Sequence, residues 1–124
     1  MMKVILDSSF IISCIRKRID FISQLNEQGF KIIVPREVMQ EMKDLRNSDR
    51  SSREDRTAID VAFQMLEKNK LVEKTSFGDG KVDNHLIQKG KEGYHIATLD
   101  AGIKNIIVNK VVIFSSKGSV GVER

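Results

Sequence analysis

Several components that define common protein classes are scarce or missing in this chain of 124 residues. It has a single cysteine, Cys14, which excludes an internal disulfide and is typical of a reducing compartment. No apolar run approaches the roughly 20 residues that span a bilayer. The apolar start of the chain is interrupted by Asp7, and no small-residue cleavage site follows. We therefore expect a cytoplasmic protein with no membrane segment and no signal peptide.

The materials of several familiar catalytic sites are also missing. The two histidines are His85, predicted on the exposed face of a helix, and His95, at the start of a strand. There is no Cys-x-x-Cys pair and no HExxH motif, and residues 78–80 (GDG) form only a turn rather than a phosphate-binding loop. Cys14 lies among isoleucines and is interpreted as a small core residue. No nucleophile, base and orienting group form a recognisable set.

The overall composition indicates the class of protein to which the chain belongs. With 40% hydrophobic and 31% charged residues, the chain has enough apolar material for a core and too little polar bias for disorder. The net charge of +4 is compatible with a nucleic-acid partner without demonstrating one. We expect one domain over residues 1–115 and a flexible tail over residues 116–124.

Strand and helix patterns alternate along the chain. The predicted strands are 3–6, 30–34, 71–72, 94–98 and 111–114, and the predicted helices are 8–18, 19–28, 35–45, 56–69, 82–91 and 101–108. Residues 47–55 are predicted to be a mobile loop or a frayed helix end. This alternation favours a three-layer α/β/α sandwich with a central parallel β-sheet, which binds ligands outside the carboxyl ends of its strands.

Two aspartates are predicted at that edge of the sheet. Asp7 directly follows the first strand, and Asp100 follows the strand that contains the segment YHIAT. Each also precedes a helix, so capping the helix N-terminus explains either one taken alone.

Two further acids lie on predicted helices. Glu41 borders the apolar stripe that contains Val38 and Met42, and Asp83 lies inside the stripe that contains Leu86. A carboxylate that faces a core is costly unless it is paired or bound to a metal. A lysine or arginine partner explains either residue taken alone equally well, and Asp83 would instead cap its helix if that helix begins one residue later.

The combination of the four acids favours a shared site. If Asp7, Asp83 and Asp100 meet at one edge and Glu41 leans toward it, they repel one another by several kcal/mol at an effective dielectric constant of ~20. A divalent cation would offset that repulsion, and ligands that are all oxygen suit Mg²⁺ or Mn²⁺ rather than zinc. The chemistry expected is metal-assisted activation of water against a phosphate or similar group.

The chain resembles the PIN-domain family, which includes VapC-type toxins and relatives that process ribosomal RNA. The segments that carry the resemblance are VILDSSF (4–10), VPREVMQEM (34–42), VDNHLI (82–87) and YHIATLD (94–100), in the family's order. The resemblance identifies Asp7, Glu41, Asp83 and Asp100 as the acidic site, with Thr98 as an accompanying hydroxyl. Many relatives have Asn where this chain has Ser9, which puts full metal affinity or activity in doubt.

The resemblance implies Mg²⁺- or Mn²⁺-dependent cleavage of single-stranded RNA (tRNA, mRNA or an rRNA precursor) and a homodimer. It implies that the four acids hold the metal, with Glu41 acting through water or orienting the attacking water. Ser8, Ser9 and Thr98 would support them. An antitoxin or a ribosome-assembly factor is the protein partner that these relatives imply.

Basic residues near the expected cleft are candidates for RNA binding. They are Arg16, Lys17, Arg46 and Arg50, although a solvated helix end explains the first pair and nearby acids balance the second. Two alternatives stay open. One is a catalytically silent PIN-like module that binds RNA or protein, and the other is a receiver-type signalling domain, which would require an acidic neighbour for Asp7.

Overall fold

The computed structural model describes residues 2–123. Six strands form one sheet: β1 (Met2–Leu6), β2 (Phe30–Pro35), β3 (Val72–Thr75), β4 (His95–Ala97), β5 (Lys110–Phe114) and β6 (Ser119–Val122). The helices are α1 (Ser8–Arg16), α2 (Phe21–Glu27), α3 (Arg36–Arg46), α4 (Arg53–Leu66), α5 (Val82–Lys91) and α6 (Ala101–Lys104). None of them is long and apolar enough to cross a membrane.

The sheet has the strand order β3-β2-β1-β4-β5-β6, and only β6 runs antiparallel to its neighbour. Alternate residues of β1 face opposite layers, as the two-residue period of a strand requires. Val4 and Leu6 pack in the larger core with α1–α4, whereas Ile5 packs in the smaller core with Leu86 and Ile103 of α5 and α6. The three-layer α/β/α prediction is therefore confirmed.

The central strands are buried on both faces, which explains their continuous apolar runs. In the register of β1 with β4, Leu6 lies opposite Ala97, and the amide of Asp7 donates to the carbonyl of Ala97 at 2.9 Å. The residues that follow these two, Asp7 and Thr98, are consequently neighbours at the carboxyl edge of the sheet.

The predicted segments that differ most from the structure are the loop over residues 47–55, the end of the helix over residues 101–108 and the tail over residues 116–124. The segment predicted as a mobile loop includes the start of α4, which begins at Arg53 because Ser52 caps it by accepting a hydrogen bond from the amide of Asp55. Just before it, the Ser51 hydroxyl donates to the carbonyl of Ser48 at 3.0 Å, which holds the preceding turn. The helix expected over residues 101–108 ends at Lys104.

The tail predicted to be flexible over residues 116–124 instead contains β6. This strand pairs with β5, and Val120 is buried in the larger core. Side chains of α2 hold its backbone: the amide of Val120 donates to Gln24 at 2.8 Å, and Gln28 donates to the carbonyl of Val120 at 2.9 Å. The pairing and these bonds hold residues 119–122 on the sheet, and Arg124 lies outside the described residues.

Cys14 lies in the larger core with no solvent exposure. Burial raises the pKa of its thiol to about 12, so it is not activated as a nucleophile at neutral pH. This agrees with its interpretation as a core residue.

Candidate active site

Asp7 is buried, with 6% of its surface exposed, at the junction of β1 and α1. Its Oδ1 accepts a hydrogen bond from the amide of Ser8 at 2.8 Å, and its Oδ2 accepts one from the hydroxyl of Thr98 at 2.7 Å. Burial raises the pKa of Asp7, these two hydrogen bonds oppose the rise, and the charges of Asp83 and Asp100 add to it. Asp7 therefore caps its helix and also takes part in a set of interacting carboxylates.

Glu41 reaches the same edge from α3. Its Oε1 accepts a hydrogen bond from the hydroxyl of Ser8 at 3.2 Å, next to Asp7 in the chain. Partial burial raises the pKa of Glu41, the charges of Asp7 and Asp83 raise it further, and the bond from Ser8 lowers it. The carboxylate on α3 therefore shares an electrostatic environment with the one that follows β1.

Asp83 lies in the first turn of α5, and its side chain is exposed rather than facing the core as the helical pattern predicted. Its charge nevertheless raises the pKa values of both Asp7 and Glu41. Since Asp7 follows the last residue of β1, these effects indicate that the first turn of α5 lies near the same edge of the sheet, with Asp83 accessible to water.

Asp100 caps α6 by accepting hydrogen bonds from the amides of Gly102 at 2.8 Å and Ile103 at 3.4 Å. Its own amide donates to the hydroxyl of Thr98 at 3.1 Å. Thr98, with 1% of its surface exposed, therefore links the backbone of Asp100 to the side chain of Asp7. Ser9 lies beside this link, because its hydroxyl accepts from the amide of Leu99 at 3.1 Å and lies 3.4 Å from that of Thr98.

Basic partners do not neutralise these acids. Within residues 2–123, the ion pairs join Arg16 to Asp55, Lys31 to Glu73, Arg46 to Asp60 and Lys89 to Glu92. None of them involves Asp7, Glu41, Asp83 or Asp100. The explanation of each carboxylate as one half of its own ion pair therefore does not hold in the described part of the chain.

The donor set is chemically suited to a hard divalent cation, since it offers carboxylate and hydroxyl oxygens only. The side chains are not, however, gathered at ligand spacing. Among the described residues, no group of three or more acidic, histidine or cysteine side chains is placed to hold one ion. The site is thus a shared acidic edge rather than a closed coordination cage.

The candidate RNA-binding residues divide into two groups. Arg16 and Lys17 line an open groove of about 550 Å³, which is also lined by Ser9 and Leu99, the neighbours of Thr98 at the acidic edge. Arg16 forms an ion pair with Asp55 at 3.1 Å in this groove. Arg46 and Arg50 do not line it, and Arg46 is bound instead to Asp60 at 2.6 Å. The structure therefore brings only the first pair next to the acids.

One acidic residue near the site was not found from the sequence. Glu37, one turn before Glu41 on α3, accepts hydrogen bonds from three consecutive residues, Ser76, Phe77 and Gly78. No local pattern identifies it, because its partners lie about 40 positions further along the chain and two of the three donors are backbone amides.

A family model described as a PIN-like domain matches residues 4–115, which is most of the chain and includes all four acids. No curated protein matches the chain.

Proposed function

Since this chain belongs to the PIN-like domain family, we propose that it is a metal-dependent endoribonuclease that hydrolyses phosphodiester bonds in single-stranded RNA. PIN domains are generally nucleases that use divalent metals. The observation that carries the proposal is the shared acidic edge: Asp83 raises the pKa values of both Asp7 and Glu41, Asp7 raises that of Glu41, and within residues 2–123 no basic residue pairs with them.

In this proposal Asp7, Asp83, Asp100 and Glu41 would hold Mg²⁺ or Mn²⁺, since both ions prefer oxygen ligands. When bound, such an ion supplies an activated water and stabilises charge on the phosphate. Thr98 and Ser8 keep the carboxylates of Asp7 and Glu41 in place through the bonds described above. Because Oε1 of Glu41 is engaged by Ser8, Oε2 is available to orient the attacking water.

The groove beside the acids is the proposed path of the RNA. Lys17 is exposed on it, and Arg16 lines it while paired with Asp55. Their positive charges would meet backbone phosphates, and the exposed Leu99 at the inner end offers an apolar surface to a base. The RNA backbone would thereby be led toward Asp7.

A second candidate function is supported by the spacing of the acids. Because no three of them are gathered at ligand distance in residues 2–123, a catalytically silent module that binds RNA or protein is the alternative. A receiver domain is not an alternative, because receiver domains have the strand order 2-1-3-4-5 whereas this sheet has the order β3-β2-β1-β4-β5-β6.

The family suggests two biological roles for the proposed nuclease, that of a toxin and that of an rRNA-processing enzyme. A toxin-type nuclease would be accompanied by an antitoxin encoded next to it, and an rRNA-processing nuclease would sediment with ribosomal precursor particles. A homodimer, which the family resemblance implies, is checked by sedimentation of the purified protein. The neighbouring gene decides between the two roles.

The test of the proposed activity uses purified protein and labelled single-stranded RNA with Mn²⁺ or with EDTA. We expect internal cleavage that requires Mn²⁺ and is lost in Asp7→Asn. The matched control is Asp49→Asn, which removes the same charge from the turn between α3 and α4 and retains activity. Tight RNA binding without cleavage in Mg²⁺ or Mn²⁺ would establish the silent module instead.

A further inference from the structure

The carboxylate of Glu37 is engaged by one short stretch of the loop between β3 and α5. Its Oε2 accepts from the hydroxyl of Ser76 at 2.8 Å and from the amides of Phe77 at 2.9 Å and Gly78 at 3.0 Å. The amide of Phe77 also reaches Oε1 at 3.1 Å. A carboxylate with this many donors is held by its partners far more firmly than a solvated surface glutamate.

The loop that Glu37 binds, residues 76–81, leads directly into α5 and reaches Asp83 two residues later. Two of its residues, Gly78 and Gly80, have positive φ angles of 91° and 103°, which lets the chain turn sharply there. At its other end, Nε2 of His85 lies 2.6 Å from the carbonyl oxygen of Asp79. The loop is therefore fixed from α3 on one side and from α5 on the other.

Glu37 and Glu41 are four residues apart on α3 and so lie on the same side of that helix. From this position, Glu37 links the helix that contains Glu41 to the loop that leads into α5, and α5 contains Asp83. We infer that Glu37 is a positioning residue, which sets the place of Asp83 relative to Glu41 by binding the 76–78 backbone. This inference rests on the proposed function, because the position of Asp83 matters only if the acids act together.

The contact favours a charged carboxylate at residue 37. Burial acts to raise the pKa of Glu37, but hydrogen bonds from Phe77, from its own amide, from Ser76 and from Gly78 together lower it, so the group is charged at neutral pH. In Glu37→Gln the amide oxygen can take the place of Oε2, but the charge that strengthens these bonds is lost, and the NH₂ group, which cannot accept, faces the amide of Phe77. Glu37→Asp keeps the charge but is one methylene shorter, so it withdraws from the loop.

The experiment compares the wild type with Glu37→Gln and a matched control, Glu73→Gln. Glu73 is an exposed glutamate on β3 that pairs with Lys31 and, among the described residues, makes no hydrogen bond to the loop, so its substitution removes the same charge without removing a bond to the 76–78 backbone. Two quantities are measured: amide hydrogen exchange at Phe77 and Gly78, and Mn²⁺ affinity by titration. Far-UV circular dichroism verifies that each variant is folded.

In Glu37→Gln we expect hydrogen exchange at the amides of Phe77 and Gly78 to accelerate by at least tenfold. We also expect Mn²⁺ affinity to fall roughly tenfold, which is the lower end of the loss seen when residues that orient metal ligands are replaced. Glu73→Gln should match the wild type in both. Ser76→Ala, which removes one of the bonds and leaves the charge, should give a smaller effect in the same direction. It also replaces Glu37→Gln as the test if that variant does not fold.

The results separate the two proposals. Unchanged exchange at Phe77 and Gly78 in Glu37→Gln overturns the contact as a structural constraint. Faster exchange with unchanged Mn²⁺ affinity overturns its positioning role. If the wild type itself binds no Mn²⁺, the nuclease proposal and the positioning role fall together, and the exchange data still decide whether Glu37 holds the loop.

Discussion

The buried hydroxyl of Thr98 donates a hydrogen bond of 2.7 Å to Oδ2 of Asp7, across 91 positions of sequence. The pairing of Leu6 with Ala97 places these two residues side by side at the ends of β1 and β4. The same hydroxyl accepts a hydrogen bond of 3.1 Å from the amide of Asp100. One threonine therefore orients one proposed ligand and fixes the backbone of a second.

Thr98→Val tests this link with almost no change of volume. The variant removes a hydrogen bond to a charged group and leaves the amide of Asp100 without its acceptor, so we expect a loss of about 1.5–3 kcal/mol in unfolding free energy. Cleavage should fall by at least tenfold, because Asp7 loses an orienting donor. Denaturant unfolding and initial cleavage rates measure the two effects.

Thr98→Ser is the control for that variant, because it keeps the hydroxyl and loses only a methyl group. We expect most of the activity to return with serine. If serine and valine impair cleavage equally, the threonine acts through packing and the hydrogen bond to Asp7 has no role in catalysis.

Asp7→Asn should abolish cleavage and make the metal-free protein more stable at neutral pH. The pKa of Asp7 is raised in the folded state by burial and by Asp83 and Asp100. The native state therefore binds more protons than the unfolded state above the ordinary value of 3.8, and stability falls as pH rises from there through the raised pKa. Neutralising Asp7 removes this cost, so we expect the metal-free variant to be more stable than the wild type at pH 7.

The asparagine retains the local geometry by accepting from Ser8 and donating to Thr98. Mn²⁺ at one hundred times its Kd should stabilise the wild type by about 2.7 kcal/mol and leave Asp7→Asn almost unchanged. Thermal unfolding with and without the ion measures both effects. A less stable Asp7→Asn in EDTA would mean that Asp7 serves the fold rather than a metal.

The sequence pattern predicted α5 at its observed bounds, Val82–Lys91, because apolar residues recur at helical spacing between a glycine turn and another glycine. It missed β6, whose four residues are too few for a periodic signal. That strand depends on pairing with β5 and on glutamines of α2, which no local pattern displays.

The candidate site shows the same division between local and tertiary information. The ends of strands can be predicted from where apolar runs stop, so the sequence could place Asp7 and Asp100 at one edge of the sheet. The exposure of Asp83 was not predicted, because a helical wheel does not show where a helix extends beyond the sheet beneath it. Glu37 was missed because its backbone donors carry no residue-specific signal.

RNA binding through the groove should depend on Lys17. In the inactive Asp7→Asn background, Lys17→Ala should weaken binding of single-stranded RNA and reduce the slope of log affinity against log salt by about 0.7, the value for one phosphate contact. Lys91→Ala, at the end of α5 away from Asp83, is the control and should leave the slope unchanged. Equal slopes for the two variants would place the RNA elsewhere.

The contribution of Glu37 to stability should depend on pH in a defined direction. Its pKa is lowered in the folded state by hydrogen bonds from residues 76–78 and from its own amide, which together outweigh the opposing effect of burial. The stabilisation is therefore complete above the ordinary value of 4.5 and is lost as pH falls through the lowered pKa. Because the group is partly exposed, we expect Glu37→Gln to cost only about 1 kcal/mol at pH 7.

The difference in unfolding free energy between the wild type and Glu37→Gln, measured by urea titration from pH 7 down to pH 3, should shrink on the acid side. Asp7 and Glu41 titrate in both proteins, and the charge of Glu37 is not among those that raise their pKa values, so their titration largely cancels in this difference. A cost that stays constant over the whole range would show that glutamine fails for reasons of shape, since a neutral Glu37 would then hold the loop as well as a charged one.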